Sequence, residues 1–145
     1  MSIPVQNIAL LLLQEAEKSF SLVNGSYADG KVIVSDGNHI HILSSPGQWI
    51  YVDILFTKPL SVEAGDSLSF SAIGTGLGSA QLQNMGFRVN GAHKQQNDER
   101  VYSGSTYVIN LSADGICDAF FVRDRSDSLE EDITVTLSHN GEVLL

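Results

Sequence analysis

The sequence predicts an all-β fold: an antiparallel, jelly-roll-like β-sandwich of about eight strands preceded by one short N-terminal α-helix. Three observations predict it. From Lys31 onward apolar residues recur with a period of two, turn signals such as Asp36-Gly37, Gly65-Asp66 and Asn140-Gly141 interrupt them at short spacing, and the alternate positions are rich in Ser and Thr. Strands of a doubly wound α/β enzyme would instead be apolar on both faces.

The helix comes first. From Val5 to Phe20 the chain is dominated by Leu, Ala, Gln, Glu and Lys without an interior Gly or Pro, and Asn24-Gly25 supplies a stop. Val5, Ala9, Leu12, Leu13, Ala16 and Phe20 step by three or four residues and so share one face. With Ile8, Leu10 and Leu11 beside it, that stripe is wide enough to need two covering surfaces: the chain's own domain, or copies of itself around an axis. The apolar run Ile8 to Leu13 is far shorter than the ~20 residues of a membrane span, so no membrane insertion is expected. No Lys or Arg precedes it, which argues against a secretory signal. The organisation expected is residues 1–24 as an oligomerisation or anchoring helix and residues 30–145 as the sandwich.

The strands follow in order. Lys31–Val34 and His39–Leu43 flank Asp36-Gly37, a hairpin signal because both residues tolerate positive φ. Gln48–Thr57 is long, with Ile50, Val52, Ile54 and Phe56 on one face and Trp49, Tyr51, Asp53 and Leu55 on the other. Ser67–Ile73, Met85–Asn90, Thr106–Leu111, Cys117–Asp124 and Asp132–His139 come next, and Glu142–Leu145 closes a final hairpin through Asn140-Gly141. Gly74 to Gly78 lacks the glycine spacing of a phosphate cradle and reads as a loop.

Composition removes several functions. The 145 residues fit one domain. Eight Lys and Arg against seventeen Asp and Glu give a net charge of −9, which disfavours nucleic acid and anionic membranes as partners. One cysteine, Cys117, excludes an internal disulfide and reads as a buried apolar residue. No nucleophile elbow, His-Glu-x-x-His helix or phosphate loop is present, so the chain is not expected to be an enzyme.

Three constellations remain. Trp49 and Tyr51 project from one strand face about 7 Å apart, beside Asp53, an arrangement able to stack a sugar ring and hydrogen-bond its hydroxyls unless a loop, the helix or a neighbour covers it. His39 and His41 likewise share a face, at a spacing able to bind a metal, although two ligands on one chain are too few. Nine of the seventeen acids fall between Asp98 and Asp132, and calcium is considered for Asp124 to Glu130; that segment lacks the EF-hand glycine and reads rather as a solvated connection. His93 and His139 have no partner nearby in sequence.

The layout of the Val5–Phe20 helix, the His39-x-His41 pair and the strands from Gln48 onward resembles the small jelly-roll modules of phage virion proteins, such as fibres, decoration proteins and receptor-binding heads. That resemblance implies a non-enzymatic homotrimer in the virion. Its partners would be itself, other virion proteins and cell-surface glycans, and iron or another transition metal would lie at His39 and His41 on a three-fold axis. The stretches Trp49–Phe56 and Leu60–Phe70 are also similar to jelly-roll carbohydrate-binding modules, which implies a free, secreted glycan-binding module instead. A small β-sandwich enzyme is the third alternative.

Overall fold

A computed structural model describes residues 20–78, 82–125 and 130–145. They form two antiparallel sheets packed face to face. The strands are β1 (Gly25–Tyr27), β2 (Val32–Ser35), β3 (His39–Leu43), β4 (Trp49–Val62), β5 (Ser67–Thr75), β6 (Gln83–Val89), β7 (Ala92–Gln95), β8 (Thr106–Asn110), β9 (Gly115–Arg125), β10 (Glu130–His139) and β11 (Glu142–Val143). One sheet runs β1-β2-β3-β10-β5-β8, with β11 paired to β10; the other runs β4-β9-β6-β7.

Alternation sets the core. Ile50, Val52, Ile54 and Phe56 of β4, Phe120 and Val122 of β9, and Met85 and Phe87 of β6 point inward from the four-stranded sheet. They meet Leu68, Phe70 and Ala72 of β5 and Ile133, Val135 and Leu137 of β10. Cys117 is buried as expected, and burial pushes its thiol up to about 12, which leaves no thiolate for chemistry.

Positions Val5, Ala9, Leu12, Leu13 and Ala16 of the expected helix lie outside the described residues. Phe20 lies within them and packs on Phe56 at 4.9 Å between ring centroids. Leu22 is fully buried, Leu22 N–H donates to Gly37 O, and Thr57 N–H donates to Ser21 O, so the chain joins the sandwich by residue 20. β4 extends beyond the expected Thr57 to Val62, with a register shift between Leu55 and Leu60. Pro59, which has no N–H to give a ladder, falls inside that irregularity.

Two strands were not expected, β1 and β7. β7 returns from β6 through Asn90-Gly91, whose φ angles of 52° and 76° make the two-residue turn that favours this pair. β6 and β7 also approach at a glycine: a Cβ on Gly86 would lie 1.9 Å from the Lys94 carbonyl oxygen. Gly86→Ala must therefore push β7 off its neighbour. The expected loss is about 1–3 kcal/mol in denaturant unfolding, and a loss below a few tenths would show the two strands to be separable.

The acidic connection differs from its solvated expectation. Asp124 continues the inward face of β9 and Glu131 that of β10, so both carboxyls lie between the sheets, 2% and 1% exposed. Period two decides this, because each falls in register with the core residues of its own strand.

Candidate binding face

The outward face of the four-stranded sheet carries two exposed aromatic residues, Trp49 and Tyr51. Trp49, Tyr51, Asp53 and Leu55 of β4 stand opposite Arg125, Arg123, Phe121 and Ala119 of β9. Asn84, Gly86 and Arg88 of β6 continue these rows, and Gln95 and His93 of β7 complete them. Trp49 is 44% exposed and Tyr51 53%, so neither is covered by the described chain.

Phe121 forms the floor. It points outward yet is only 1% exposed, because the His93 ring stands edge-on over it at 4.8 Å. Tyr51 leans toward His93, with ring centroids 5.4 Å apart and Tyr51 Oη 3.0 Å from His93 Nδ1. His93 Nε2 is in turn 2.7 Å from Asp53 Oδ1. A carboxylate only accepts, so Nε2 carries the proton of that bond, and Nδ1 shares a hydrogen bond with the Tyr51 hydroxyl.

Asp53 is anchored from its other side. Arg88 Nη1 donates to Asp53 Oδ2 at 3.0 Å, while Arg88 Nε and Nη2 each donate to Asp118 at 2.8 Å. The hydrogen bonds to Asp118, followed by its charge and that of Asp53, hold the Arg88 guanidinium charged, and the same pairing lowers the Asp118 carboxyl below its ordinary range. The chain Tyr51–His93–Asp53–Arg88–Asp118 thus fixes one aromatic ring and one carboxylate on a rigid sheet. Trp49 is held otherwise: the guanidinium carbons of Arg123 and Arg125 lie 4.9 and 5.7 Å from its ring centroid, and Arg125 Nε donates to Gly47 O at 2.9 Å.

Trp49, Tyr51 and Asp53, singled out in the sequence, therefore do lie together. His93, Phe121, Arg88, Arg123 and Arg125 join them, and none of these five was placed at the site from the sequence. Arg123 and Arg125 could have been, since their spacing of two mirrors that of Trp49 and Tyr51.

His39 and His41 share the outer face of the other sheet, but each imidazole is paired with a carboxylate. His39 Nε2 contacts Asp132 Oδ1, with Ser35 Oγ 3.0 Å from its Nδ1, and His41 Nε2 lies 2.6 Å from Glu130 Oε1. Among the described residues no group of three or more His, Cys, Asp or Glu could hold a metal ion. His139 pairs with Asp66 at 2.8 Å, a partner 73 positions away in sequence. A pocket of about 130 Å³ beside Val89, Lys94 and Leu111 is small against the ~300–1,000 Å³ of ordinary ligand cavities. No helix of the described residues is long and apolar enough to cross a membrane.

No family model matches the sequence, and no curated protein matches it. Among solved structures, the low-affinity xylan-binding module CBM86 from the xylanolytic gut symbiont Roseburia intestinalis is similar at a TM-score of 0.49 and 14% identity, over 83% of this chain and 89% of that chain.

Proposed function

We propose that this protein is a non-enzymatic carbohydrate-binding module that holds a glycan on the outer face of its four-stranded sheet. The observation that carries the reading is the pairing of two exposed aromatic rings, Trp49 and Tyr51, with a carboxylate and an imidazole already fixed in a hydrogen-bonded chain. Sugars present apolar C–H faces and hydroxyl edges. Such a face offers ring surface to the first and oriented acceptors and donors to the second, with little side-chain entropy left to lose. An open sheet also suits an extended polymer better than a small closed metabolite.

The test is binding of immobilised and soluble polysaccharides by affinity electrophoresis and calorimetry. Trp49→Ala and Tyr51→Ala are each expected to weaken binding about ten-fold or more, equivalent to about 1.4 kcal/mol, with unchanged thermal unfolding. Binding that survives both substitutions would remove this face from the interaction.

The virion reading is a separate proposal that rests on the sequence stripe Val5 to Phe20 and requires a trimer. Phe20 packing on Phe56 ties the end of that stripe to the chain's own sandwich. A monomeric mass in solution would end the trimer proposal, and with it the iron proposed between the three copies at His39 and His41.

A further inference from the structure

We infer that the glycan taken by this face carries carboxylates: it is a uronic-acid polysaccharide, with an acid group seated at the Arg123–Arg125 end. The inference rests on the carbohydrate reading above and adds the charge of the ligand.

Cations are scarce in this chain, eight against seventeen acids, so the place of each is informative. On the binding face Arg88 is already taken by Asp118 and Asp53. Arg123 and Arg125 are not: both are exposed, and neither makes an ion pair among the described residues. Arg125 spends its Nε on the Gly47 carbonyl, which fixes the guanidinium of an exposed side chain. Arg123 lies over the Trp49 ring.

Strand register makes the pair a site. Tyr51 stands opposite Arg123 and Trp49 opposite Arg125, so two rings and two guanidinia alternate on one patch. The acid between the arginines, Asp124, points to the other side of β9 into the sandwich and does not neutralise them. A hexuronic acid bears its carboxylate on the ring carbon at the rim of the sugar, so a ring stacked on an indole brings that group out beside it. Arginine meets a carboxylate with two parallel N–H donors, a match that neutral hydroxyls do not offer. At the opposite end of the face Asp53 and Asp118 outnumber Arg88, so the acid group has one favourable end.

The net charge of −9 sharpens the expectation, because a polyanion is repelled overall and only a local, directional contact can hold it.

The experiment compares each of four polymers, polygalacturonate, alginate, hyaluronate and a glucuronate-substituted xylan, with its own carboxyl-reduced form, by calorimetry and affinity electrophoresis. At least one acidic form is expected to bind about ten-fold tighter than its reduced counterpart, the scale of one charge-assisted pair. An Arg123→Gln/Arg125→Gln double variant is expected to lose that preference. Equal binding of acidic and reduced forms, in a manner that Trp49→Ala abolishes, would overturn the uronic-acid inference and leave the carbohydrate reading intact. No binding of either form would overturn both. Should the double variant not fold, the comparison of acidic and reduced polymers on the unaltered chain still decides.

Discussion

Replacing Phe70 by Ala is expected to lower the unfolding free energy by about 3–5 kcal/mol, the range of Phe truncations in well-packed cores. Phe70 is 1% exposed on β5, in the seven-stranded sheet, and its ring stacks on Tyr107 of β8 at 5.3 Å. It also meets Phe120 at 5.3 Å and Phe87 at 6.2 Å, both edge-on and both from the four-stranded sheet. Phe87 and Phe120 are themselves 5.8 Å apart, so a closed aromatic cluster joins the two layers through this one ring. Truncation forfeits the transfer term and also leaves a void that β-strands, tied by their ladders, collapse into poorly. Against the roughly 5–15 kcal/mol of an ordinary domain, the loss is large. Val108→Ala, on the same sheet but 55% exposed, is the comparison and is expected to change stability by less than about 0.5 kcal/mol. A Phe70 variant losing under about 1 kcal/mol in urea would mean that the sheets are held elsewhere.

The inward face of the core was legible because half-buried strands write it as alternation. Ile50-Val52-Ile54-Phe56 and Ile133-Val135-Leu137 occupy the interior as their period requires. β7 was not legible that way: Ala92 to Gln95 are all exposed, so no burial pattern marks them. The turn before it was the available signal, since Asn90-Gly91 is the same kind of pair as Asn140-Gly141. With β7 goes His93, and with His93 goes half of the binding face. Trp49, Tyr51 and Asp53 could be grouped from one strand alone. Their meeting with Phe121, Arg88 and His93 depends on the sheet order β4-β9-β6-β7, which no local pattern contains. Asp124 and Glu131 show the converse error. Their charge argued for solvent, while the alternation Phe120-Val122-Asp124 and Glu131-Ile133-Val135 already placed them inside.

That buried pair governs the second large effect, a stability that falls as the pH rises from about 4 to about 9. Burial pushes the Asp124 carboxyl up to about 9 from its ordinary 3.8, and the hydrogen bond and charge of Glu131 add to it. Gln83 donates to Glu131 Oε1 at 3.0 Å, yet Asp124 Oδ2 and Glu131 Oε2 have no protein donor among the described residues. A proton held between the two carboxyls answers that shortage. The folded chain thus keeps a proton that the unfolded chain releases above pH 3.8, and within the window each pH unit removes up to about 1.4 kcal/mol. Asp66 works in the opposite sense. Its hydrogen bond to His139, with those from the Glu63 backbone and Asn140, holds it down at about 2, so its contribution is full above pH 3.8 and is lost as the pH falls toward 2. Maximal stability is therefore expected in mild acid. Asp124→Asn removes the charge and keeps the hydrogen-bonding shape; it is expected to match the parent chain near pH 4 and to exceed it at pH 8 by several kcal/mol. Urea unfolding at the two pH values measures this directly. A variant less stable than the parent at both would refute the shared proton. A rise in the parent midpoint with millimolar calcium at pH 8, abolished by Asp124→Asn, would show instead that the pair is ionised around a cation.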